Sequence, residues 1–192
     1  KELILKTLNG MRNDIARGGY DGFMPAARMA TMQWDDELAY VAKFNVLQCR
    51  MHHDPCRNTQ SYKNVGQTVA YREVRQGRGA TTDNAILRMI KLWFKEHVSA
   101  TMADVGEYKG RQGRPKENFN QLMLENAQKV GCSAVLRLKN GWLKWFFTCN
   151  YAHSPTIGKP IYEFSANAGS ACKTGINSEY ENLCSVEESY DE

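Results

Sequence analysis

Apolar residues recur at helical spacing at the start of the chain. Ile4, Leu8, Met11 and Ile15 stand at i, i+4, i+7 and i+11, the period that lines one face of an α-helix, and Gly18-Gly19 predicts its end. A second helix is predicted from Asp35, whose side chain suits an N-cap. Leu38, Val41, Ala42 and Leu47 form its apolar face, and it ends near Cys49. Residues 50–64 are rich in turn formers, and Val65–Tyr71, with β-branched residues, reads as a short strand. Thr82 or Asp83 is placed to cap a third long helix that turns Ile86, Met89, Ile90, Trp93 and Phe94 inward and stops near Val98. A basic, glycine-containing connection follows over 103–117, then a short helix over Asn118–Ala127.

From there to Tyr151 the period changes to two. Asn140-Gly141 is a pair favoured in two-residue type I′ hairpin turns, where both central residues need positive φ. With that turn, Lys139 faces Trp142 and, counting outward, Cys132 faces Cys149 in a non-hydrogen-bonded position. Such positions bring Cα atoms to about 4.5 Å, close enough for a disulfide. The same register puts Cys132, Ala134, Leu136 and Leu138 on one wholly apolar face with Leu143, Trp145, Phe147 and Cys149. The opposite face mixes Ser133, Arg137, Lys144 and Thr148 with Val135, Trp142 and Phe146.

Composition narrows the class. With 192 residues, 42% hydrophobic and 24% charged, the chain fits one globular domain, or one with a short appendage, and not a disordered or repetitive protein. No apolar run approaches the ~18 residues of a membrane span. Lys1–Gly10 is amphipathic rather than a signal-peptide core, so the chain is expected to be cytosolic or already mature. Six cysteines with no CxxC spacing favour disulfides over a metal motif, and hence an oxidising compartment. Cys172 and Cys184 enclose a polar, glycine-containing loop, which a local disulfide would staple by roughly 3 kcal/mol. No N-x-S/T sequon is present.

A net charge of +4 is too small to name a partner. Its distribution is uneven, with basic stretches at 71–80 and 109–116 and an acidic tail from Glu179. Arg72, Arg75, Arg78, Arg111, Arg114 and Lys116 are therefore candidate contacts to a polyanion, against the plainer reading of solvated loops. Neither stretch interleaves aromatics with its charges, so specific nucleic-acid recognition is not expected. Nucleophile-elbow, P-loop, HExxH and dinucleotide fingerprints are missing. His52-His53-Asp54 and Glu96-His97 could supply metal ligands, but adjacent residues point apart, so one histidine from each pair is the most a single site would use.

Pro25-Ala26-Ala27-Arg28-Met29 and Met32-Gln33-Trp34-Asp35-Asp36-Glu37-Leu38-Ala39 resemble the start of the CAP superfamily domain, that of cysteine-rich secretory proteins, venom antigen 5 and plant pathogenesis-related group 1. Cys49-Arg50-Met51-His52-His53-Asp54-Pro55-Cys56-Arg57-Asn58-Thr59 is similar to the antigen 5 branch. Phe146-Phe147-Thr148-Cys149-Asn150-Tyr151, preceded by Val130-Gly131-Cys132, is similar to the family's strand motif. The resemblance covers about 1–160, and the Cys172–Cys184 tail looks like that of dipteran members, suggesting a salivary antigen 5 protein of a blood-feeding insect.

The resemblance implies an α+β fold: a three-layer α-β-α sandwich with a central antiparallel sheet over 1–160, and a loop-rich, disulfide-stapled extension over 161–192 packed on it. It also implies a pocket of two His and two Glu able to hold a divalent metal. The matching positions are His53, Gln67, Glu96 and Asn118. Two amides replace an imidazole and a carboxylate, so no bound metal or other cofactor is expected, nor chemistry that depends on one; Gln67 and Asn118 are expected instead to hydrogen-bond His53 and Glu96 as a satisfied polar cluster. In antigen 5 relatives the positions of Cys49 and Cys56 pair with cysteines of an N-terminal extension. Either such an extension has been removed here or the two bond to each other, and the local bond is expected because no other cysteine is left over. The implied function is a secreted, non-enzymatic, monomeric salivary protein that binds host molecules. Its ligand would be a small lipid in a groove lined by some of the eight methionines, or a host protein or polyanion. The alternative is a metal-dependent enzyme or redox protein using His53 and Glu96.

Overall fold

The computed structural model describes residues 1–20, 22–77, 79–111, 113 and 115–190. Arg78 and Arg114, two of the candidate polyanion contacts, lie outside them. The elements are α1 (Glu2–Ala16), β1 (Gln33–Trp34), α2 (Asp36–Leu47), β2 (Gly66–Arg75), α3 (Thr82–Lys95) with a 3₁₀ turn (Glu96–Ser99), α4 (Met102–Gly106), α5 (Glu117–Met123), β3 (Lys129–Lys139) and β4 (Trp142–Tyr151). No helix among the described residues is long and apolar enough to cross a membrane.

β3 and β4 form the hairpin that organises the sheet. Asn140 and Gly141 both adopt positive φ, 53° and 74°, as the type I′ turn demands. Lys139 pairs with Trp142, and Cys132 with Cys149. A disulfide joins these cysteines, with Cα atoms 4.0 Å apart. β2 pairs with β4 from Gly66–Tyr151 to Arg75–Trp142. It runs four residues past the predicted end at Tyr71, because β4 offers partners along its whole length. β1 adds two residues parallel to β3, giving the order β1-β3-β4-β2. The sheet is thus mixed, which corrects the antiparallel sheet the resemblance implied.

Helices cover both faces, making the three layers of an α-β-α sandwich. α2 lies on one face, capped by Asp35, whose Oδ1 accepts from the Leu38 N–H at 2.8 Å. It buries Leu38, Ala42, Asn45 and Val46; Leu47, predicted to point inward, is 55% exposed. The inward row continues at helical spacing from 38 and 42 to 45 and 46, and position 47 falls off it. Contact with the sheet is intimate at Gly131, where a Cβ would stand 2.1 Å from the Ala39 nitrogen. Only glycine allows that approach.

On the other face, α1, α3 and α5 enclose the main core. α3 is capped by Thr81, one residue before the predicted candidates, through the Asn84 N–H. It buries Ile86, Met89, Ile90 and Trp93. Trp93 stacks on Phe147 at 5.2 Å and donates its indole N–H to the Val69 carbonyl at 3.1 Å. The connection predicted over 103–117 contains α4, held by a Thr101/Asp104 capping box. α5 stops at Met123, four residues before the predicted Ala127. The carbonyls of Leu122, Leu124 and Glu125 accept from the buried guanidinium of Arg12 on α1, so the chain leaves the helix there.

The hairpin face expected to be wholly core is buried along β4 at Leu143, Trp145, Phe147 and Cys149, but Leu136 and Leu138 on β3 are exposed. β1 pairs only with Lys129 and Val130, so the outer half of β3 is an open edge. Residues 152–190 are loops, with a disulfide joining Cys172 to Cys184. Ile161, Tyr162 and Leu183 are buried in the same core as the helices. Met29, Met32, Met89 and Met123 are also buried in that core, where they fill volume.

Cys49 and Cys56 are not joined, which corrects the expected local bond: both are free thiols. Their backbones are anchored separately. Cys49 closes the end of α2 with its N–H on the Val46 carbonyl. The chain beyond Cys56 is held at Arg57, which donates to the carbonyls of Val65 (2.7 Å) and Asp54 (2.9 Å).

A cleft closed by amides

His53, Gln67, Glu96 and Asn118 come from four separate segments: the turn-rich loop, the start of β2, the end of α3 and the first turn of α5. They line one cavity of about 480 Å³, together with Arg57, Tyr108, Arg111 and Gln121.

Gln67, buried on β2, is the hub of one half. Its Oε1 accepts from the Asp54 N–H at 3.2 Å. Its Nε2 donates to Asp54 Oδ2 at 2.9 Å and Asn150 Oδ1 at 3.0 Å. With the amide oriented by these partners, His53 Nδ1, 3.0 Å from Oε1, is the donor of this bond. Asp54 also accepts from Gln48 at 3.1 Å. Asn150 donates to the Leu38 carbonyl at 3.4 Å, so the network ties the cleft floor to α2.

Glu96 organises the other half. Its Oε2 accepts from the backbone N–H of Asn118 (2.8 Å) and Phe119 (3.2 Å), and its Oε1 from the Asn118 side-chain amide (2.7 Å). The carboxylate thus serves as a remote cap for α5, which has no cap from its own Lys116 side chain. Those first-turn N–H groups would otherwise lack partners. At the rim, Tyr108 donates to Glu117 at 2.5 Å. Burial, reinforced by that carboxylate, pushes the Tyr108 phenol up.

The remaining histidines stay out of the site. His97 is buried with Nδ1 2.8 Å from the Phe94 carbonyl and packs among Tyr20, Phe94 and Phe119. His52 is exposed, and its backbone carbonyl accepts from Asn45. The backbone carbonyl of His153 accepts from Gln121 at 2.8 Å. The two basic stretches are also separated. Arg111 lines the cleft and Lys116 is paired with Asp104. Arg72 and Arg75 line a different cavity at the far end of β2. Eight residues of strand separate Gln67 from Arg75, about 26 Å.

Residues 5–151 match the model of the cysteine-rich secretory protein family, CAP. The chain belongs to the CAP family. It is 40% identical over 190 residues to venom allergen-1 of Aedes aegypti, covering 98% of this chain and 73% of that protein. To the antigen 5 like allergen Cul n 1 of Culicoides nubeculosus it is 42% identical over 148 residues, 76% of this chain and 65% of the other. Both insects are blood-feeding dipterans. Among solved structures, BmVAL-1 superposes with a TM-score of 0.79 at 19% identity, over 94% of this chain and 91% of the other. NaASP2, solved with Zn2+, superposes at 0.77 and 23% identity, over 96% and 94%. These two likenesses establish the fold.

The cleft of this CAP protein does not fit a divalent metal. Two of its four positions present amides, poor ligands beside imidazole and carboxylate, and both oxygens of Glu96 are already occupied by N–H donors. Among the described residues no group of three or more His, Cys, Asp or Glu side chains is placed to hold a metal ion. Sequence reasoning located the four positions but missed Asp54 and Asn150 as partners of Gln67. Their signal was present, since Asp54 adjoins His53 and Asn150 adjoins Cys149, but only strand pairing brings Asn150 opposite Gln67.

Proposed function

We propose that this CAP protein is a secreted, non-enzymatic salivary protein of the antigen 5 type that acts by binding host molecules. The observation that carries the reading is the closure of the cleft by its own amides. Gln67 and Asn118 convert the positions that hold a metal in the family resemblance into two satisfied polar networks, removing the Lewis acid that catalysis there would need. The likeness to allergens of blood-feeding flies supports delivery in saliva, and the two disulfides suit an oxidising extracellular setting.

Titration with zinc, followed by calorimetry, tests this. No stoichiometric binding is expected at the cleft. Gln67→Glu combined with Asn118→His supplies two strong donors, and the double variant is expected to bind zinc in the micromolar range or better. Micromolar binding by the unaltered protein that vanishes in His53→Ala would overturn the reading.

A further inference from the structure

The end of the sheet at the β3–β4 turn, far from the cleft, concentrates positive charge on both of its faces. On the α3 side a cavity of about 220 Å³ is lined by Arg72 and Arg88, with Asn84, Thr81 and Trp145, and reaches the strand end at Arg75, whose guanidinium lies over Trp142 on the other face. On the α2 side, α2 ends at Leu47 and leaves the outer sheet uncovered. A groove of about 370 Å³ there is lined by Arg50, Arg137, Lys139 and Lys144. Residues 129–151 contain no acidic side chain. β2 contributes Glu73, which Lys144 neutralises at 3.2 Å, and α3 contributes Asp83 in its first turn. Arg50, Arg72, Arg75, Arg88, Arg137 and Lys139 form no ion pair among the described residues. Arg72 is half-buried, so its charge sits where solvent screens it less than at an open surface.

From this arrangement we infer that the hairpin end is a binding site for a linear sulfated polysaccharide of the heparin type, running from the α3-side cavity across the sheet end into the α2-side groove. The inference rests on the reading that the protein binds host molecules, and it names the ligand class and the residues. Guanidinium groups match sulfate and carboxylate oxygens in two-pronged geometry, and unpaired arginines in concave surfaces give a polyanion more than a diffuse attraction. A bilayer is flat and cannot enter hollows on opposite faces of one sheet. A nucleic-acid single strand would need free aromatic faces for stacking. Here Tyr71 and Phe146 pack on each other at 4.9 Å, and Trp142 is covered by Arg75 at 5.4 Å. Exposed Leu136, Leu138 and Trp142 at this edge give a bilayer only one side to meet, so the vesicles in the test below decide against it. The candidate contacts Arg111 and Lys116 belong to the cleft loop and do not share this surface.

The probe is a heparin-derived octasaccharide, titrated into the full chain at two salt concentrations, beside phosphatidylserine vesicles and a single-stranded oligothymidine. Micromolar, salt-sensitive binding of the octasaccharide is expected, with no comparable binding of the other two. Arg72→Ala with Arg88→Ala, and separately Arg137→Ala with Lys139→Ala, are each expected to weaken binding about tenfold, as loss of two solvent-screened ion pairs does. Lys109→Ala with Arg111→Ala should change it less than about twofold. Because Arg72 is half-buried, Arg88→Glu alone, on an exposed position, repeats the α3-side test without risk to folding. Disulfide content and melting temperature verify each variant. Octasaccharide binding that survives both hairpin-end pairs, or falls only in the Lys109/Arg111 pair, would overturn the inference. Stronger binding to the vesicles or the oligonucleotide would also overturn it, as would no octasaccharide binding at all. None of these outcomes bears on the zinc titration, on which the broader reading stands or falls separately.

Discussion

Replacing Arg12 by leucine is expected to destabilise the protein by about 4 kcal/mol, measured as a lower denaturant midpoint under non-reducing conditions. Arg12 has no exposed surface. Its guanidinium donates to Ala30 O through Nε (3.0 Å) and Nη2 (2.8 Å), to Leu122 O (2.6 Å) and Leu124 O (2.9 Å) through Nη1, and to Glu125 O (3.2 Å) through Nη2. One side chain therefore fastens α1 to the end of α5 and to the strand-like segment before β1. Burial lowers its pKa to about 10, still well above neutrality, so the charge persists and the carbonyls receive charge-assisted bonds. Leucine removes the donors and leaves several buried carbonyls facing apolar atoms, each costing about 1–3 kcal/mol, partly offset by the desolvation that the arginine no longer suffers. Lysine should recover only part, because an ammonium cannot reproduce the guanidinium fork. A loss under about 1 kcal/mol for Arg12→Leu would show that water takes over the carbonyls.

Acid is expected to loosen the C-terminal loops before it unfolds the core, through Glu188. Burial alone would raise this carboxyl. Bonds from the Thr174 hydroxyl (2.6 Å), the Lys173 and Thr174 N–H groups (3.0 and 2.8 Å) and Arg28 Nε (2.6 Å) outweigh it and hold the pKa at about 2. The folded value lies below the unfolded value of 4.5. The contribution is therefore fully present above about pH 4.5 and is lost as pH falls through about 2. Its size is about 3 kcal/mol. Stability followed from neutral pH down to about pH 2 should show this loss, and Glu188→Gln should be less stable at neutral pH with a flatter acid limb. An acid limb unchanged by Glu188→Gln would remove Glu188 from the account.

Neither residue stands out along the chain. Arg12 follows Met11 on the apolar face of α1 and reads as an ordinary charge at the edge of a helical stripe. Its role depends on carbonyls more than a hundred residues away, freed where α5 breaks off. Glu188 sits in an acidic tail that reads as solvated surface until Arg28 and residues 173–174 fold over it. Both are cases in which a polar side chain is buried because distant backbone groups need partners, a demand that local patterning does not carry.

The hairpin shows the opposite. An Asn-Gly turn with period-two flanks specifies its own register, because one slip would turn every apolar residue to the wrong face. Asp35, α1 and the inward row of α3 were equally legible, since capping and helical period are local. Errors fell where a third element intervened: Leu47 beyond the sheet that α2 covers, Leu136 and Leu138 on an edge left open by a two-residue β1, and Cys49 and Cys56 on separately anchored backbones.

By itself the sequence determined the helix and strand periods, the turn at Asn140-Gly141 and the two amides at Gln67 and Asn118, because each is a property of neighbouring residues or of a single side chain. Only the tertiary structure decided that Gln67 also bonds to Asp54 and Asn150, tying the cleft floor to β4 and the loop before β2. It alone placed Arg111 in the cleft and Arg72 in a separate cavity further along β2, and drew Arg72 and Arg88 together with residues of the hairpin end. Hydrogen-bond satisfaction and the grouping of charge are both relations between remote segments, and only packing sets those distances.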